Sequence, residues 1–71
     1  MEGMEGRSIG FVKSFDRRHG YGFVLPVGSQ EPAFFTAEDI ESEPRVLSEG
    51  QQVSFVLALG AGRFEARHIR P

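Results

Sequence analysis

Cysteine is absent from the 71 residues, and so is tryptophan. Without thiols there is no disulfide framework and no thiolate metal site, so the fold must be held by packing alone, a chemistry at home in a reducing cytosol. Long apolar runs are missing as well. The longest, Val53 to Leu59, is broken by Ser54 and falls far short of the ~20 residues that cross a bilayer. Met1 to Ser8 repeats Met-Glu-Gly and holds no stretch of the kind a secretory signal needs. Residues 1–6 read as a disordered lead-in and 7–71 as a single domain, the most that so short a chain supports. No segment sustains a 3.6-residue period, which argues against a helical bundle.

Excess positive charge is lacking too. The net charge is −2, which on its own speaks against a polyanionic partner. The distribution says otherwise. Lys13 to His19 carries a local +2, as does Arg63 to Arg70, whereas Glu31 to Glu49 carries −5. If the acidic stretch lies on one side of the fold, the other side can hold an anion.

What the chain does have is short segments rich in β-branched and aromatic residues, bounded by Gly, Pro, Asp or Ser. They predict strands over Arg7–Phe15, Gly20–Leu25, Ala33–Thr36, Gln51–Ala58 and Arg63–Ile69. Five strands in so few residues favour a small closed or half-open barrel over a sandwich, because a barrel removes exposed sheet edges. Thr36 followed by Asp39 resembles an N-cap with an acid in the first turn, so Thr36 to Ile40 is expected to form one helical turn with Ile40 as its inward anchor. Leu47-Ser48-Glu49-Gly50 reads as the turn into the fourth strand, and Gly60-Ala61-Gly62 as a hairpin turn.

Alternation along strands divides the side chains between faces. A barrel this small has room for one inward row per strand, assigned to Val12, Val24, Phe35, Val53, Phe55 and Ile69. Phe15, Tyr21, Phe23 and Phe34 are then left outside, beside Lys13, Arg17, Arg18 and His19. Rings on a flat sheet stack unpaired bases at about 1–3 kcal/mol each while nearby cations hold the backbone. Duplexes hide those base faces, so the expected ligand is single-stranded, bound less tightly as salt rises. Parity alone leaves a second explanation open, that these rings are simply core, because alternation fails at every β-bulge. Gly20 and Gly22 flank Tyr21 and favour the first, since residues without side chains leave ring faces open, although glycine also marks strand bends.

The runs Gly10-Phe11-Val12-Lys13-Ser14-Phe15-Asp16, His19-Gly20-Tyr21-Gly22-Phe23-Val24, Ala33-Phe34-Phe35-Thr36 and Leu47 to Phe55 resemble a bacterial cold-shock domain. The likeness extends from about Ile9 to Ile69, and the second run keeps the spacing of the family's first ribonucleoprotein-type motif. It implies a five-stranded antiparallel oligonucleotide-binding (OB-type) barrel with RNA or single-stranded DNA across strands one to three. Carried over by position, Lys13, Phe15, Tyr21, Phe23 and Phe34 match the family's binding residues. Ser14, Thr36 and Ala37 stand where the family has Trp, His and Phe. At about 1–3 kcal/mol per lost ring, the deficit reaches about a hundredfold or more in affinity. Phe11, where the family often has Lys, either restores one stacking platform or contacts a protein partner.

Catalysis has little support. His19 sits among arginines in a turn and His68 among Arg67 and Arg70, neither with an evident partner for general base work. Two isolated histidines without cysteine give no metal-ligand spacing. Glu38, Asp39, Glu41 and Glu43 lack the order of a calcium loop. Phe64 either packs on the barrel end or extends the binding surface. The expectation is therefore a non-enzymatic, cofactor-free, monomeric and cytoplasmic binder of single strands with RNA-chaperone character, set against a barrel repurposed to dock protein. No membrane partner is expected.

Overall fold

The computed structural model describes residues 7–71; the lead-in expected over residues 1–6 lies outside them. The strands are β1 (Arg7–Asp16), β2 (Tyr21–Pro26), β3 (Ala33–Thr36), β4 (Gln52–Leu59) and β5 (Phe64–Arg70). Each expected strand is present, with ends displaced by no more than one residue. They close into a barrel in the order β1-β2-β3-β5-β4, with β4 returning to β1. All pairings are antiparallel except β3 with β5, which meet through the parallel bridge Phe34–Glu65. A second parallel bridge, Ile40–Ile69, continues that seam past the end of β3.

The six residues assigned inward from alternation are all buried, joined by Ala33, Ile40, Leu47 and Ala66. Among the described residues no polar or charged side chain is buried, so the interior is closed by dispersion and apolar burial without any ion to solvate. Phe64 packs against this core, half-buried.

The connections follow local chemistry. Between β1 and β2, Asp16 Oδ1 accepts the N–H groups of Arg18 at 2.9 Å and His19 at 3.1 Å, the side chain standing in for a backbone carbonyl. After β3 a single 3₁₀ turn runs over Ala37–Asp39. The Asp39 carboxylate accepts the Thr36 N–H at 2.9 Å and the Thr36 hydroxyl at 3.3 Å, which is how the expected cap is built. Ile40 is 1% exposed and anchors it. Gly50 donates its N–H to Val12 O and Val12 donates to Gln51 O, so the turn into β4 is tied to the middle of β1. Gly60 N donates to Arg63 O at 2.8 Å, closing the β4–β5 hairpin where the glycines had placed it.

One irregularity matters for the site. Val12 pairs with Val24, but the next paired residue of β1 is Ser14, opposite Phe23. Lys13 is thus an extra residue, a β-bulge, and beyond it every side chain of β1 lies on the other face from the one simple alternation assigns. Phe15 was expected outside with Phe11 and Lys13; the bulge turns it toward the interior, opposite Gly22.

Candidate nucleic-acid interface

Residues directly opposite on neighbouring strands share a face. One rung of the sheet therefore carries Ser14, Phe23, Phe34 and Glu65 side by side on the outside of β1, β2, β3 and β5. The next outward rung holds Asp16, Tyr21 and Thr36. The inward rung between them is Phe15, Gly22 and Phe35.

On the outer rungs the rings touch. Tyr21 and Phe34 have centroids 6.0 Å apart at an interplanar angle of 30°, and Phe23 meets Phe34 edge-on at 5.7 Å and 68°. Tyr21 is 40% exposed, while Phe23 and Phe34 are half-buried against each other. Three rings contributed by two adjacent strands form one continuous apolar strip on the outside of the barrel.

Phe15 is held differently. Its ring stacks on the buried Phe35 at 5.7 Å and 11°, packing against the core while one edge borders a shallow depression beside Tyr21 and Phe23. Gly22 makes this contact feasible. A Cβ there would stand 2.2 Å from Ser14 O, 2.9 Å from Phe15 Cα and 3.0 Å from the Phe35 ring. Its bare backbone therefore serves the bulged strand and the inner stack. The expectation that it clears space for a ligand is corrected.

The same depression is lined by Ser14, the position where the resemblance calls for an indole, and by Arg17, Arg18 and Glu49. Glu49 belongs to the acidic stretch, so that stretch does not lie wholly on the far side of the barrel from the rings. Two of its other acids are engaged elsewhere, Asp39 at the turn after β3 and Glu41 against β5. Glu41 accepts from Arg70 Nε at 3.0 Å and His68 Nδ1 at 2.7 Å. Those bonds, Arg70's first, hold its carboxyl below the usual range.

Of the cations singled out by sequence, Lys13 is exposed at the bulge, and Arg17 and Arg18 are exposed in the β1–β2 turn. None of the three makes an ion pair with another described residue. His19 is exposed but committed to Asp16, its Nδ1 lying 2.9 Å from Oδ2. That bond is the main cause of a lowered Asp16 carboxyl. Phe11 is 45% exposed and sits opposite Leu25 on the same outer face. Two rungs separate it from Phe23, and it joins no ring pair among the described residues. The structure thus gathers Tyr21, Phe23 and Phe34, sets Phe15, Arg17 and Arg18 at their border, and leaves Phe11 apart.

Two residues were not foreseen. Arg63 lies over Phe34, its guanidinium carbon 4.0 Å from the ring centroid, and Glu49 rims the depression. Both reach the site from β-hairpin and loop segments far away in sequence, and no local pattern signals either. Among the described residues no cluster of His, Asp or Glu has the arrangement of a metal site. No helix among them is long and apolar enough to cross a membrane.

Residues 8–71 match the family model described as the 'Cold-shock' DNA-binding domain. The chain is 39% identical to "Cold shock protein CapA" of Pseudomonas fragi over 64 residues, covering 89% of this chain and 100% of that one. It is 36% identical to "Cold shock-like protein CspB" of Escherichia coli over 59 residues, covering 82% and 83%. Among solved structures it is similar to "drosophila Unr CSD456", with a TM-score of 0.79 and 25% identity over 96% of this chain. It spans only 27% of that longer protein.

Proposed function

The chain belongs to the cold-shock DNA-binding domain family, whose general activity is nucleic-acid binding, and we propose that it binds single-stranded RNA or DNA without catalysis, in the manner of an RNA chaperone. Unpaired bases stack on the Tyr21, Phe23 and Phe34 strip while Lys13, Arg17 and Arg18 meet the phosphates. The observation that carries this is the contact of Phe34 with both Tyr21 and Phe23 on the outside of a closed barrel. A soluble domain that packs its own core with other residues has no structural need for such a strip.

Single strands suit it better than duplex because each stacked base must offer a bare π-face. Melting of weak RNA structure follows by mass action, since binding only the unpaired form pulls the equilibrium toward it without ATP. Ser14, Thr36 and Ala37 provide no ring at positions where family members stack bases, so affinity falls below that of typical relatives. Thr36 is further committed to Asp39.

Fluorescence anisotropy with a short labelled oligothymidine at low salt tests the proposal. Saturable binding that weakens as salt rises is the expected result. Absence of binding at high micromolar protein, with the β-sheet circular dichroism intact, overturns it.

A second function, docking of a protein, is favoured by a different observation. Phe11 and Ile9 are 45% and 51% exposed on β1 without contact to the ring strip. A pull-down from nuclease-treated lysate separates the two, because partners bridged by nucleic acid disappear on nuclease treatment and direct ones remain.

A further inference from the structure

Phe34, the ring that joins Tyr21 to Phe23, does not present a bare face. The Arg63 guanidinium lies 4.0 Å above its centroid, well inside the ~6 Å reach of a cation–π contact. Arg63 is held there from several directions. Its Nε lies 3.6 Å from Glu65 Oε2, and Glu65 is the residue bridged to Phe34 across the β3–β5 seam. Glu65 in turn accepts from Arg67 Nη2 at 2.6 Å. Those contacts, Arg67's first, keep its carboxyl below the ordinary range and hence charged.

The hairpin is shaped around this carboxylate. Gly60 donates to the Arg63 carbonyl, and a Cβ on Gly60 would fall 2.3 Å from the Glu65 carboxylate. Glu65 keeps 18% side-chain exposure while Arg63 keeps 55%. The guanidinium is therefore anchored on the side facing Phe34 and Glu65 and open to water on the other.

Resting on the proposed single-strand binding, we infer that Arg63 is a specificity-determining residue: at this end of the strip the base settles on the guanidinium, not on the Phe34 ring. A guanidinium is planar with delocalised charge and stacks flat on π-systems. With Phe34 beneath, its free face is a cationic shelf, and its N–H donors not engaged by Glu65 lie in the plane of the shelf. A cation attracts the larger, more electron-rich purine face over a pyrimidine. Guanine adds the O6 and N7 acceptor pair that arginine recognises. The strip is thus sequence-tolerant along Tyr21 and Phe23 and purine-preferring at the Arg63 end.

The test uses the full chain and anisotropy against heptathymidine and seven heptamers, each with guanine at one position. The native chain is expected to favour guanine at one register over heptathymidine by about three- to tenfold, the scale of one cation–π contact. Arg63→Ala abolishes that preference. Arg63→Lys, which keeps the charge but loses the plane, abolishes it too. In a Phe34→Ala background, Arg63→Ala is expected to change the guanine preference far less, because the shelf has lost its support. Unchanged melting temperatures confirm that the exposed Arg63 variants remain folded. Equal or tighter binding of every heptamer by Arg63→Ala overturns the inference and makes Arg63 a lid over Phe34. If the native chain binds none of the oligonucleotides, the single-strand reading fails and this inference with it; if it binds all of them alike, only the purine shelf fails.

Discussion

Ser14 stands directly opposite Phe23 on the outer face, immediately beyond the extra residue Lys13. The bulge therefore aims position 14 into the ring strip, and the only thing missing there is a ring. Ser14→Trp is expected to fill the depression between Phe23 and the Arg17–Arg18 turn and to tighten oligothymidine binding by about 1–3 kcal/mol, one stacked base. Anisotropy titration of the two proteins side by side measures it. An unchanged affinity in a folded variant would mean that the neighbouring rings are not disposed to receive bases.

Phe15 and Phe23 are neighbours around the same depression, yet they face opposite ways and should fail differently. Phe15→Ala removes the stack on Phe35 and opens the core, with an expected loss of about 2–4 kcal/mol in folding stability, near the lower part of the range for a buried Phe truncation. Phe23→Ala leaves the interior intact. It should cost under about 1 kcal/mol in stability but about 1–3 kcal/mol in oligonucleotide affinity. Urea unfolding and anisotropy on both variants test the split; the reverse pattern would refute the placement of these rings.

Strand positions, the inward row and both turns were legible in the sequence because each depends on local chemistry: period-two alternation, the Thr36–Asp39 cap, the Gly60–Gly62 hairpin. The facing of Phe15 was not. It depends on Lys13 being unpaired, which is a property of how β1 meets β2, and a lysine in a strand carries no mark of that. Gly22 was visible as unusual but pointed to the wrong neighbour, since the atoms that exclude its side chain come from Ser14, Phe15 and Phe35. The Arg63–Phe34 contact was hidden for a related reason. It requires the parallel β3–β5 bridge, formed by residues about thirty apart in sequence, and long-range pairing leaves no local signature.

Gly22 offers a sharp test of the bulge. Ala at this position places a methyl 2.2 Å from the Ser14 carbonyl oxygen, a backbone atom that cannot move without shifting β1. Gly22→Ala is expected to destabilise the fold by about 1–3 kcal/mol or more through overpacking, despite its higher strand propensity than glycine. Thermal unfolding followed by circular dichroism reads the change. A variant as stable as the native chain would show that β1 and β2 do not approach as closely as the ladder requires.

Glu41 makes the acid response of the fold testable. Its carboxyl lies below its ordinary value of 4.5, chiefly because Arg70 donates to it and secondarily because His68 does. A carboxyl whose folded-state pKa is depressed binds protons more readily when unfolded. It therefore contributes stability fully above the unfolded value and loses that contribution as pH falls from there through the lower folded value. Glu41→Gln removes the charge but keeps a similar shape. The variant is expected to melt at a lower temperature than the native chain near neutral pH. As pH drops below 4.5 the gap should narrow, and it should close once Glu41 is protonated in both folded and unfolded chains. Melting curves from neutral to about pH 3 decide the matter. A gap that stays constant across that span would show that Glu41 ties the long loop to β5 by shape alone, without its charge.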